Sequence, residues 1–136
     1  MNSVDLLLEM GKIGWRFRRQ DVLPMMEYFD AMIKENRVVM ISKNDSMIAM
    51  LAFSMCDNYE PFLKKKDWDF LNHDPNGNIM YVEKLVSLYW DKEVRKRFEE
   101  IITKVYPRIE YAVWHRFAKW GDRKVIYKRR IQNVRN

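Results

Sequence analysis

The chain has 136 residues, 48% of them hydrophobic and 14% aromatic, with four glycines, four prolines and a formal net charge of +6. That composition excludes a disordered or low-complexity chain and predicts one domain, large enough for a single core. The lone cysteine, Cys56, cannot close an internal disulfide, and no stretch approaches the roughly 18 apolar residues of a membrane span, so disulfide-stapled and membrane-spanning classes are also excluded.

The N-terminal stretch MNSVDLLLEMGKIGWRFRR has an apolar run too short for a secretory signal, with acids at Asp5 and Glu9. A reducing compartment is therefore expected, which makes the protein cytoplasmic or packaged from a cytoplasmic pool. Ser3–Met10 is predicted to be a short helix, with Ser3 as cap and Val4, Leu7 and Leu8 on one face, interrupted by Gly11 and Gly14. Ile13–Arg18 sets Ile13, Trp15 and Phe17 against Gly14, Arg16 and Arg18, the alternation of a half-buried strand. Asp21 then caps a helix that tolerates Pro24 in its first turn and carries Val22, Met25, Met26, Phe29, Met32 and Ile33 at helical spacing, ending at Lys34–Asn36.

Arg37–Lys43 and Ser46–Met55 are apolar runs flanking the turn dipeptide Asn44–Asp45, a predicted hairpin. Asp57–Asn78 reads as a long loop with a short helix near Pro61–Leu71, and loops of that length are usually functional. From Asn78 a long strand runs straight into a helix starting at Asp91, with Val94, Phe98, Ile101, Ile102 and Val105 on its apolar face and Pro107 as its stop. Ile109–Trp114 and Arg123–Ile131 are the last strands. Residues 1–136 thus form one domain, with a helical extension at 1–12 and a basic tail at 130–136. The apolar stripes of the two long helices demand a sheet to cover them, and the right-handed crossover rule places the strands on either side of the Asp91 helix parallel.

Charge is uneven. His115–Asn136 carries eight basic residues against Asp122 alone, a net of +7. Arg116, Lys119, Arg123, Lys124, Lys128, Arg129 and Arg130 could form a stripe for a polyanion or an acidic protein surface, and Trp114, Phe117, Trp120 and Tyr127 interleave with them as base-stacking rings would. A solvated edge strand is the plain alternative.

The element order, together with GWRFRRQD before the first long helix, RVVMISKNDSMIAMLAFSM as the hairpin and YVEKLVS as the following strand, resembles the GNAT superfamily, the GCN5-related N-acetyltransferases. The resemblance implies an α+β fold with a mixed, mostly antiparallel sheet flanked by helices. It also implies that the YVEKLVS strand splays from its neighbour and that acyl-CoA slots into the gap, along Leu85 and Val86. The family's pyrophosphate loop has glycines where this chain has Glu93, Arg95 or Arg97 in every plausible register. Asp91 and Glu93 already satisfy that helix end, so acetyl-CoA affinity is expected to be weak or absent, although Lys92, Arg95 and Lys96 offset part of the repulsion.

Two functional readings follow. In one, a divergent member has lost most of its chemistry and acts as a binding or structural protein through its basic end. Similarity to small proteins of this fold in tailed-phage gene clusters would make other virion proteins its partners. In the other, acyl-CoA is the cofactor and an acyl group moves to an amine, with Glu83 as general base, Tyr127 as acid toward the leaving thiol and His115 at the acceptor site. Alternation would put Glu83 on one face with Tyr81, Leu85 and Ser87; a strand glutamate paired to a lysine or arginine is the plain reading, as a hydrogen-bonded structural histidine is for His115. Two histidines and one cysteine supply no metal-ligand spacing, and no membrane partner is expected.

Overall fold

The structure is a computed structural model and describes residues 1–117 and 124–131, with the backbone alone at Phe117. The fold is α+β: a five-stranded sheet in the order β1-β2-β3-β4-β5, with helices on both faces. Helix α1 (Ser3–Lys12) and helix α2 (Val22–Lys34) precede the hairpin of β1 (Val38–Lys43) and β2 (Ser46–Cys56). A short helix α3 (Glu60–Lys64) leads through a loop to β3 (Ile79–Ser87), helix α4 (Lys92–Val105), β4 (Tyr111–Phe117) and β5 (Lys124–Arg130). All neighbouring strands are antiparallel except β3 and β4, which run parallel with α4 as their crossover.

β2 is an interior strand, buried from Met47 to Cys56 without alternation, as expected of a strand covered on both faces. On one face, Leu51, Phe53, Met55 and Met80 pack against Val94, Phe98 and Ile102 of α4. On the other, Met47, Met50, Ala52 and Val86 meet Leu6 and Met10 of α1 and Met25, Phe29 and Met32 of α2. Further along that second face, Cys56, Ile79, Tyr81 and Val113 lie under Phe62 of α3. The hairpin turns where expected: Asn44 and Asp45 have φ of 53° and 64°, the left-handed pair of a two-residue turn. Asn36, at φ 57°, ends α2 in the same conformation.

Several local expectations are corrected. Asn2, not Ser3, caps α1: its side chain accepts from Asp5 N–H, and the Asp5 carboxylate accepts from Asn2 N–H. The buried face of α1 is Ser3, Leu6 and Met10, with Leu6 and Met10 in the core, while Val4 and Leu8 are exposed. Ile13–Arg18 is not a strand. It is an irregular connection without a ladder partner, and Ile13 and Trp15 pack against the α1–α2 cluster, which satisfies the same alternation. Asp21 makes no cap and pairs with Arg18 at 3.2 Å. On α4, Ile101 and Val105 are exposed, so the covered stripe is narrower than the apolar spacing suggested.

Candidate functional site

The site begins where two strands stop pairing. β3 and β4 share the pairs Ile79–Tyr111, Met80–Ala112 and Tyr81–Val113, and past Tyr81 and Val113 no pair joins them. Their remaining residues diverge beneath α4, and the space between is a cavity of about 590 Å³. Its apolar walls include Met80, Val82, Leu85, Phe98, Ile102 and Ala112, and Trp90 and Trp114 stand at its sides. Neither tryptophan plugs it: Trp90 stacks on Phe98 with ring centroids 5.9 Å apart, and Trp114 stacks on Tyr127 at 5.7 Å.

A β-bulge determines which residues reach this cavity. Ala52 pairs with Lys84 and the next residue, Phe53, pairs with Val82, so Glu83 is the extra residue of β3. Alternation slips by one there. Met80 and Val82 face α4 before the bulge and Leu85 faces it afterwards, whereas Tyr81, Glu83, Lys84 and Val86 turn to the α2 face. The expected sharing of one face by Glu83, Leu85 and Ser87 is thereby corrected. Leu85 and Ser87 line the cleft, and the Val86 side chain is buried in the α1–α2 core, leaving only its backbone to a ligand.

Glu83 and His115 lie where the cleft passes through the sheet; both line the cavity. The Glu83 side chain is 2% exposed, and both its oxygens are engaged. Oε1 accepts from the Tyr28 hydroxyl at 2.8 Å and lies 3.0 Å from Lys65 Nζ. Oε2 accepts from the Ser54 hydroxyl and from Arg37 Nη2, the latter at 3.3 Å. Arg37 is fully buried and also donates to the carbonyls of Phe53 and Leu71 at 3.2 and 2.9 Å and to Glu35 Oε1 at 3.1 Å. Burial, reinforced by the Glu83 charge, raises the Tyr28 phenol and keeps it a donor.

His115 is held by Tyr81, whose hydroxyl shares a short hydrogen bond with Nδ1 and whose ring stacks on the imidazole at 6.0 Å. Burial raises the Tyr81 phenol, with Glu83 adding to it. Burial and the nearby Lys124 and Lys84 charges lower His115, so the imidazole is neutral at pH 7. With Nδ1 bonded to the Tyr81 hydroxyl, Nε2 carries the ring proton when the phenol donates and is unprotonated when Nδ1–H donates.

Other residues singled out from the sequence are distributed unevenly. Arg95, Arg116 and Arg129 line the cleft, with Glu99 Oε1 lying 3.9 Å from Arg95 Nε and 3.5 Å from Arg129 Nε. Lys92 and Lys96 are exposed on the outside of α4. Asp91 caps that helix as expected, accepting from Val94 N–H at 2.8 Å. Tyr127 is not among the residues lining the cavity; its ring stacks on Trp114, and the Arg116 guanidinium lies 5.8 Å from its ring centroid.

The described basic residues of the C-terminal strands fall on two faces of the sheet. On β4 and β5, Arg116 and Arg129 face the cleft, while Lys128 lies 4.0 Å over Tyr111 and Lys124 donates to the Leu63 carbonyl on the opposite face. Arg130 pairs with Tyr111 and is exposed, and Lys119 and Arg123 lie outside the described residues. Strand alternation divides the charge that the sequence presents as one block.

Among the described residues no group of His, Cys, Asp and Glu could hold a metal, and no helix is long and apolar enough to cross a membrane. Sequence reasoning missed Arg37, Ser54, Tyr28 and Lys65. The one available signal was Arg37 opening an apolar strand, a charge that has to find a buried partner.

No family model matches the chain, and no curated protein matches it. Solved structures do. The loading GNATL domain of CurA from Lyngbya majuscula superposes with a TM-score of 0.54 at 13% identity, over 88% of this chain. The GphF GNAT-like decarboxylase in complex with isobutyryl-CoA superposes with a TM-score of 0.52 at 14% identity, over 87% of this chain. The chain spans 63% and 64% of the lengths of those two chains. The fold is GNAT-like and divergent.

Proposed function

We propose that this chain is an acyltransferase that takes its acyl group from a pantetheine thioester, with acyl-CoA as donor and an amine as acceptor. The observation that carries this reading is the gap between β3 and β4, which opens past Tyr81 and Val113 and leads from the α4 face to Glu83 and His115. The unpaired edge of β3 from Val82 to Ser87 can pair with the two amides of a pantetheine arm, as it would with an added strand. The apolar walls exclude water around the thioester, and Arg95, Arg116 and Arg129 supply positive charge toward the phosphates. Glu83 can take a proton from the attacking amine, with His115, neutral and oriented by Tyr81, lining the cavity beside it. The GNAT-like fold, shared with a structure in complex with isobutyryl-CoA, supports the choice of donor.

Asp91 and Glu93 at the α4 N-terminus add nothing for the phosphates, so a dissociation constant of about 10–100 μM is expected rather than a tighter one. Titration with acetyl-CoA, followed by calorimetry and by the fluorescence of Trp90 and Trp114, tests this. Ala112→Leu, which narrows the cleft floor, should weaken binding while leaving the circular dichroism spectrum unchanged. No saturable signal at about 1 mM acetyl-CoA, beyond which an affinity has no functional meaning, would return the chain to the binding-protein reading.

A further inference from the structure

On the α2 face of the sheet, where the cleft ends, the chain has built a site for a primary ammonium and filled it with its own side chain. Lys65 Nζ lies 3.0 Å from Glu83 Oε1, and the lysine side chain is 8% exposed. The same nitrogen donates to the carbonyls of Asp67 and Lys66 at 3.2 and 3.4 Å and sits 5.1 Å from the centroid of the Tyr28 ring. A carboxylate, two carbonyls and an aromatic face are the full complement an ammonium asks for. Glu83 does not depend on Lys65 for its own burial, since Arg37, Ser54 and Tyr28 already hold it. Lys65 is the displaceable partner, and it stands one side chain away from the cavity that Glu83 lines.

We propose that Lys65 is an acyl acceptor, so that the chain, loaded with an acyl thioester, acylates its own side chain. The proposal rests on the acyltransferase reading above. In this step Nζ passes one proton to Glu83 Oε1, 3.0 Å away. The neutral Nζ then attacks the thioester carbonyl. A C–N bond forms, the C–S bond breaks, the second amine proton leaves with the thiol, and Glu83 returns its proton to solvent. The products are an amide on Lys65 and free CoA. Acylation removes the lysine charge and its bond to Glu83, which releases an anchor of the loop between α3 and β3.

The adjacent Lys64 makes an internal control, because its side chain is 78% exposed and its contact with Glu60 is 4.0 Å long. The full chain is incubated with acetyl-CoA and analysed by intact mass and peptide mapping, folded and in urea, alongside the fluorescence titration for binding. In the folded chain Lys65 should gain an acetyl group at least about tenfold faster than Lys64, as a nucleophile held beside a bound thioester should. In urea the two lysines should react alike. Lys65→Arg, which keeps the ion pair, should abolish the fast adduct, and Glu83→Gln should slow it without changing the rate at Lys64. If acetyl-CoA binds yet Lys65 reacts no faster than Lys64, the self-acylation proposal fails while the donor site stands. If acetyl-CoA does not bind, both fail.

Discussion

Replacing Glu83 with Gln tests how the bulge, the buried charges and the long loop depend on one another. The glutamate side chain is 2% exposed and Arg37 is fully buried, so the substitution strands a guanidinium inside the protein. Removing one member of a buried pair typically costs about 3–5 kcal/mol. Two features moderate that figure here. Gln keeps an oxygen for Tyr28 or Ser54, and Glu35, 38% exposed, remains 3.1 Å from Arg37 Nη1. The lower end, about 3 kcal/mol, is therefore expected, a factor of roughly a hundred in the folding equilibrium and a large share of the 5–15 kcal/mol that holds a domain together. Urea unfolding followed by far-ultraviolet circular dichroism should show a lower midpoint at unchanged slope. A loss below about 1 kcal/mol would mean that Arg37 is satisfied by its carbonyl partners and Glu35, and that Glu83 does not hold the network.

Three further outcomes are expected. A Cβ on Gly77 would come within 2.5–2.6 Å of the Cys56 backbone, so Gly77→Ala should lower the midpoint and separate the end of the loop from β2; thermal melting of the variant would show no change if the loop can shift freely. Burial, aided by Arg37, lowers His73, and its Nδ1 accepts from Met55 N–H at 3.1 Å; His115 is lowered by burial and by Lys124 and Lys84. Both histidines bind protons more readily unfolded than folded, so stability should be complete above pH 6.5 and fall as pH drops below it, and His73→Asn, which keeps an acceptor for Met55, should flatten that fall in urea midpoints measured from pH 7.5 to 5.5. Because the basic residues described on β4 and β5 divide between two faces, with Lys124, Lys128 and Arg130 on one, a single-stranded oligonucleotide is expected to reach about three at once, giving a log–log salt slope near −2; a slope near −5 would require about seven contacts on one surface.

Much of the architecture was legible in the residues themselves. Asn44–Asp45 marked the hairpin because two successive left-handed residues favour Asn and Asp, Asp91 marked the start of α4 because a carboxylate there satisfies orphan N–H groups, and the crossover rule made β3 and β4 parallel. These are local or near-universal constraints. Ile13–Arg18 misled because alternation reports a half-buried segment, and packing against α1 and α2 satisfies the same pattern without a ladder partner. The site was legible only in part. Glu83 and His115 stand out in the sequence, but the direction each side chain takes depends on a bulge that shifts β3 by one residue against β2. That shift is decided by the pairing of strands distant in sequence, as is the gap past Tyr81 that makes the cavity. The partners of Glu83, which are Tyr28, Arg37, Ser54 and Lys65, come from four separate stretches of the chain, and no periodicity within any one of them records the meeting. Charge shows the contrast most plainly: composition determines that the end of the chain is basic, but only the sheet, by turning alternate side chains to opposite faces, determines where that charge can act.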